Sequence, residues 1–219
     1  MIVSTFKKQI DQFQTKTTSA TLLIFMHAVG VIGLLSEWSV IFLLITPFFL
    51  LLTFSLVLLN HKTFSTPFIL FACIVIFASF FIEFIGVNTG KIFGNYTYGN
   101  TLGFKIGNTP LLIGILWFIL IYNIGIMISS WSTSTVLKSL LGAFYMVFID
   151  FFIEPVAIKL GFWSWENNSI PIQNYIAWFS VSFVFFLLFY TMNFKKHNPI
   201  ATIVYCTQIG FFILVNLLK

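Results

Sequence analysis

Residues 66–90 read TPFILFACIVIFASFFIEFIGVNTG, an almost wholly apolar run that carries one carboxyl, Glu83, close to its end. An α-helix rises about 1.5 Å per residue, so roughly 20 such residues cross a hydrocarbon core ~30 Å thick. The run is continuous and long rather than alternating over ten residues, which makes it a helix and not a barrel strand. The same reading recurs near 20–36, 39–59, 109–129, 138–160, 173–192 and 199–218, giving about seven spans with 66–87. Composition agrees, because 59% of the 219 residues are hydrophobic and 8% are charged, a balance far from that of soluble domains. No polar block is large enough to fold apart, so residues 1–219 read as a single transmembrane domain. The expected fold class is all-α, a polytopic helical bundle in the membrane.

The net charge of +5 comes entirely from lysine, since the chain has no arginine. These lysines lie in the connections rather than in one patch, and no guanidinium is present to read bases or phosphates, so a nucleic-acid partner is not expected. With the N-terminus cytoplasmic, the inner segments hold Lys7, Lys8, Lys16, Lys62, Lys138, Lys195 and Lys196, and the outer ones Lys91, Lys105, Lys159 and Lys219. Positive residues favour the inner side, so this multi-pass cell-membrane orientation is expected. Residues 1–19 place Ile2, Phe6, Ile10 and Phe13 at helical spacing and suggest an amphipathic helix on the membrane surface. The first apolar run lacks a small-residue cleavage site, so it is expected to stay in the mature protein. Cys73 and Cys206 fall within apolar runs and read as free thiols.

A charged side chain at a helix centre in lipid costs at least ~2.5–3.5 kcal/mol, so an intramembrane carboxyl asks for a function. Three stand near one membrane face: Glu83 at the end of the third span, and Asp150 and Glu154 in Asp150-Phe151-Phe152-Ile153-Glu154-Pro155 of the fifth. Asp150 and Glu154 are four apart and share a helix face. Two such neighbours cannot both ionise easily in a low-dielectric site, which is the physical basis for an acid beside a base. Pro155 frees a carbonyl one turn back and is expected to kink the helix. The plainer alternative is a polar cluster that only locks helices together, with Asn123, Asn174 or a tyrosine as partner.

The long connection from Asn88 to Asn108 holds five glycines and the pair Tyr96 and Tyr98. Glycine permits positive φ and close backbone approach, so this glycine/tyrosine-rich loop between the third and fourth spans is expected to be compact, a lid over the carboxyls. Between the fifth and sixth spans lies Gly161-Phe162-Trp163-Ser164-Trp165-Glu166, whose tryptophans suit a membrane boundary. Asn174 and Trp178 follow on one face of the sixth span and could line the same cavity as Asp150. Trp117 and Tyr122 read as packing, and His27 as a helix-packing group. No H-x-x-x-H or Cys/His spacing supports zinc, no D-D-x-x-D cluster supports magnesium, and Gly-x-Ser-x-Gly is missing. Any chemistry runs on carboxyls, amides, aromatic faces and water.

Taken in order, Glu83 to Gly90, Phe93-Gly94-Asn95-Tyr96-Thr97-Tyr98, Leu102-Gly103, Pro110 with Trp117, Asp150 to Pro155, Trp163-Ser164-Trp165 and Pro171 to Trp178 resemble the membrane carotenoid biosynthesis family that includes the carotenoid 1,2-hydratases. The resemblance covers about residues 80–180. It implies hydration of the terminal isoprene double bond of an acyclic carotenoid, without redox chemistry or an organic cofactor, on a lipophilic substrate in the bilayer. Within that chemistry Asp150, Glu154 and Glu83 are the expected catalytic carboxyls, Asp150 as the proton donor and Glu154 or Glu83 to hold and deprotonate the water. Asn174, Asn88, Tyr96, Tyr98, Trp163 and Trp178 are the expected substrate-side residues. A membrane lycopene cyclase is the nearest rival, since it begins with the same protonation. A proton-coupled transporter is the rival from another class, although the carboxyls gather at one face instead of marking a path.

Overall fold

The computed structural model describes residues 2–219, with side chains from Gln14 onward. Seven helices follow one another: α1 (Ile2–Leu35), α2 (Ser39–Leu59), α3 (Thr66–Thr89), α4 (Leu112–Ser129), α5 (Thr135–Lys159), α6 (Ile172–Thr191) and α7 (Ala201–Leu218). Each is long and apolar enough to cross a membrane, α1 through its Gln14–Leu35 portion. The chain is a multi-pass membrane protein. The amphipathic stripe expected at 1–19 rests on side chains outside the described residues.

The turn at Glu37 is built by Ser36, whose hydroxyl donates to the Gly33 carbonyl at 2.8 Å and accepts the Trp38 amide at 3.1 Å. The fourth span begins at Leu112 rather than 109 because Thr109–Pro110 form a strand instead. Pro155 sits within α5, which continues through it to Lys159.

Helix α4 is the axis of the bundle. From Trp117 to Ile126 every residue is buried, as expected of a helix that is apolar all round and surrounded by others; it packs against α2, α3, α5, α6 and α7. The other helices keep a lipid-facing side, such as Phe77, Phe81 and Ile85 on α3 or Phe144, Phe148 and Phe151 on α5. Small residues set the closest crossings. A Cβ at Gly114 would collide with the Ile76 carbonyl oxygen, so α3 and α4 meet there backbone to backbone.

At the end where α3 stops, the connections form two small antiparallel sheets. Strands β2 (Lys105–Ile106) and β3 (Thr109–Pro110) make a hairpin within the long loop. Strands β1 (Tyr96–Tyr98) and β4 (Trp163–Trp165) come from different loops and pair with Tyr96 opposite Trp165 and Tyr98 opposite Trp163. Gly90, in the left-handed region at φ 67°, ends α3 and turns the chain toward β1. At the far end of the bundle His61 is buried: its Nε2–H donates to the Thr63 carbonyl at 2.9 Å, and its Nδ1 accepts the Tyr122 hydroxyl at 2.7 Å. Burial holds this imidazole below its ordinary value, with the Thr63 carbonyl opposing.

Candidate active site: three carboxyls behind an aromatic wall

A β-strand alternates its side chains, so residues two apart share a face. In β1, Tyr96 and Tyr98 point inward and Thr97 outward; in β4, Ser164 faces outward and meets the Thr97 hydroxyl at 3.0 Å. The inward face of this two-stranded sheet therefore presents two phenols and two indoles to the helices beneath.

All four serve the carboxyls. Tyr96 and Tyr98 hydroxyls donate to Glu83 Oε2 at 2.6 and 2.8 Å, while Trp163 and Trp165 Nε1–H groups donate to Glu154 Oε2 at 2.9 and 2.7 Å. Trp117, from α4, adds a third donor to Glu83 at Oε1, 2.9 Å away. Glu83 is 3% exposed, Glu154 2% and Asp150 0%, so water cannot replace these bonds. A carboxylate stripped of water needs several such donors to remain tolerable. Burial, and then the nearby Glu83 carboxylate, push the Tyr96 and Tyr98 hydroxyls well above the ordinary phenol range, which keeps both as donors.

Asp150 is served differently. Asn174 Nδ2 reaches Asp150 Oδ2 at 2.9 Å and Glu154 Oε1 at 3.4 Å, bridging the two acids from the first turn of α6. Asp150 Oδ1 is buried with no hydrogen-bond partner. Asn123 turns instead to the Ile119 carbonyl of its own helix, 2.7 Å away.

Beside this cluster an open groove lies between α1, α2, α4 and α7. Trp117, Trp163 and Trp178 wall its near side, with Leu102, Ile153 and Phe162. Trp178 lies against Trp117, ring centroids 4.5 Å apart. None of the three carboxyls lines the groove among the described residues. Trp117 and Trp163 thus touch a carboxyl and the groove at once.

The residues singled out from sequence fall as follows. Glu83 with Tyr96 and Tyr98, and Asp150 with Asn174, Glu154 and Trp163, form two hydrogen-bonded groups joined by the β1–β4 pair, and Trp178 lies at their edge against Trp117. Asn88 lies apart: it is exposed, donates to the Phe84 carbonyl at 2.7 Å and accepts from Asn108 at 3.0 Å. Two donors escaped the sequence reading, Trp117, taken as packing, and Trp165. The repeated spacing Tyr-x-Tyr and Trp-x-Trp was the available sign of strands. Among the described residues no group of three or more His, Cys, Asp or Glu side chains is arranged to hold a metal ion.

A family model described as carotenoid biosynthesis protein matches residues 38–219. A bisanhydrobacterioruberin hydratase from Haloarcula japonica is 31% identical over 119 residues, which cover 51% of this chain and 41% of the relative. The match thus spans about two fifths of that relative's length. No solved structure matches.

Proposed function

The chain belongs to the carotenoid biosynthesis protein family, and from that premise we propose that it adds water across the terminal isoprene double bond of an acyclic carotenoid to give a tertiary alcohol. The observation that carries the reading is the unequal provision for the three acids. Glu83 receives three donors and Glu154 two short ones, as fits carboxylates, whereas Asp150 keeps one buried oxygen with no partner. That oxygen is suited to carry a proton.

Once the alkene passes the tryptophan wall that separates the groove from the acids, Asp150 gives its proton to C2, whose π electrons form the new C–H bond and leave a tertiary cation at C1. Water attacks C1 through oxygen, and its surplus proton passes to Glu154 Oε1, the atom engaged only by the long Asn174 contact. Asn174, bridging Glu154 and Asp150, lies where that proton must return to regenerate the acid. No electrons leave the pair of reactants, so no redox partner is needed. The faces of Trp117, Trp163 and Trp178 stabilise the cation through their π electrons. Glu83 holds Trp117 and the two tyrosines in place and takes no proton. The relative's name as a hydratase supports the same reading.

The test is the pigment profile of a lycopene-producing host with and without the chain. A product heavier by one water supports hydration, while a product isomeric with its precursor means that an internal alkene captures the cation and the protein is a cyclase. Asp150→Asn should lower the hydrated product by at least ~10²-fold; unchanged yield removes Asp150 as the acid.

A further inference from the structure

The groove has a second polar place, on α1, α2 and α7 rather than on the helices that carry the acids. His27 on α1 and Gln208 on α7 both line it, together with Thr46 and Thr53 of α2. His27 stands eight residues before the end of α1 and Gln208 ten before the end of α7, or about 12–15 Å along their axes from the end of the bundle that carries the sheets. Trp117, five residues into α4, is about 7.5 Å along its helix from that end.

His27, Thr46 and Thr53 offer acceptors, and Gln208 offers an acceptor beside its amide N–H donors. Gln208 is 7% exposed, and its Oε1 is buried without a partner. His27 Nδ1 lies 2.8 Å from the Leu23 carbonyl, an acceptor only, so Nδ1 carries the proton and the neutral ring offers Nε2 as an acceptor. Thr46 and Thr53 spend their hydroxyl protons on the Phe42 and Phe49 carbonyls at 3.0 and 2.9 Å, which leaves their oxygens as acceptors too. A buried carbonyl oxygen without a donor costs about 1–3 kcal/mol. The rest of the lining supplies no donor here, being chiefly Met26, Leu34, Phe49, Leu50 and Phe211. A hydrocarbon ligand brings none either.

We propose that His27 and Gln208 form a hydroxyl-accepting subsite, so that the groove selects isoprenoid ligands that carry an alcohol over those that do not. The O–H enters on the ligand: its apolar chain fills the groove, its hydroxyl donates to Gln208 Oε1 or to the neighbouring His27 Nε2, and its oxygen can accept from Gln208 Nε2–H. The subsite gives the groove a polar landmark deeper than the level of Trp117. The inference does not depend on the hydration reading, because it concerns binding alone.

The experiment uses the full chain in lipid nanodiscs and two probes of equal skeleton, farnesol and its methyl ether. The ether keeps the oxygen and lacks only the donor proton. Each is titrated against tritiated farnesol in a scintillation proximity assay. Wild type should bind the alcohol roughly three- to tenfold more tightly than the ether, the worth of one neutral hydrogen bond. Gln208→Leu and Gln208→Met should remove that preference, and His27→Phe should reduce it, with saturable ether binding retained as the control for an intact groove. Membrane partitioning of the probes cancels when the alcohol-to-ether ratio is compared between variants. Equal binding of the two probes by wild type, as would follow if water fills the subsite, overturns the proposal. So does a preference that survives both Gln208 substitutions, or the absence of saturable binding of either probe. The hydration reading would stand in each of those cases, since it is read from pigments.

Discussion

Tyr98 and Trp163 sit opposite each other in the β1–β4 pair, yet one donates to Glu83 on α3 and the other to Glu154 on α5. Their rings meet edge to face with centroids 5.9 Å apart. The small sheet therefore acts as a yoke between two helices: each strand grips one acid, and the pairing fixes the distance between the acids. Without it, each carboxylate would keep part of its donor set and lose its alignment with the other.

Removing either hydroxyl or indole N–H should test that yoke. Tyr98→Phe and Trp163→Phe each delete one bond to a buried charge and should each destabilise the protein by about 1.5–3 kcal/mol, read from unfolding in mixed detergent–SDS micelles. Because they share a strand pair, the double variant should depart from the sum by more than ~0.5 kcal/mol. Strict additivity would show that the two strands hold their acids independently.

The two glutamates should separate in function. Glu154→Gln loses the proton acceptor assigned to the attacking water, and hydrated product per folded protein should fall at least ~10²-fold. Glu83→Gln disturbs the supports of the aromatic wall and should lower the unfolding midpoint while leaving measurable turnover. Equal loss of turnover in both variants would reassign Glu83 to the reaction itself.

Gly114 bears on the site at a distance. An added methyl must push α4 from α3, and Trp117, one turn on from Gly114, would be drawn away from Glu83. Gly114→Ala should cost about 1–3 kcal/mol as an overpacking change. Adding Trp117→Phe to it should cost much less than Trp117→Phe alone in wild type, since the bond is already broken; a full additional cost would mean that the helices part elsewhere.

Alkali should loosen the sheet. The phenols of Tyr96 and Tyr98 ionise in the folded protein only well above the ordinary value of about 10, which the unfolded chain regains. Their contribution to stability is complete below pH ~10 and is lost as pH rises toward the folded-state values. Unfolding curves across that range should show a decline that Tyr96→Phe/Tyr98→Phe makes shallower. A decline of the same steepness in the double variant would assign it to other phenols.

Spans were legible because the bilayer imposes a length and tolerates few charges; even the least regular turn, at Glu37, falls where the apolar runs break. Thr109 and Pro110 were drawn into the fourth span because hydropathy does not register a two-residue strand. Asp150 and Glu154 could be paired from helix spacing alone, since four residues make about one turn, and Asn174 followed because the sixth span starts at the face where the fifth ends. The β1–β4 pair could not: its partners come from separate loops, and register between distant strands leaves no local mark. Trp117 looked like packing because an indole in an apolar run shows nothing of where its N–H goes. The groove was equally hidden, being a space between four helices that no run of residues encodes.

The yoke has a consequence for how the protein is made. Strand β4 begins 65 residues after β1 ends, 163 minus 98. At 5–20 residues per second, synthesis leaves β1 without its partner for roughly 3–13 s. During that interval α3 and α4 can already settle side by side, with Glu83 reaching Trp117, while the phenols wait unclasped above them. Biogenesis of this site is therefore a late event that follows insertion of α5, and a truncated chain ending before Trp163 would leave the membrane an assembled helix pair under an open, protease-sensitive loop.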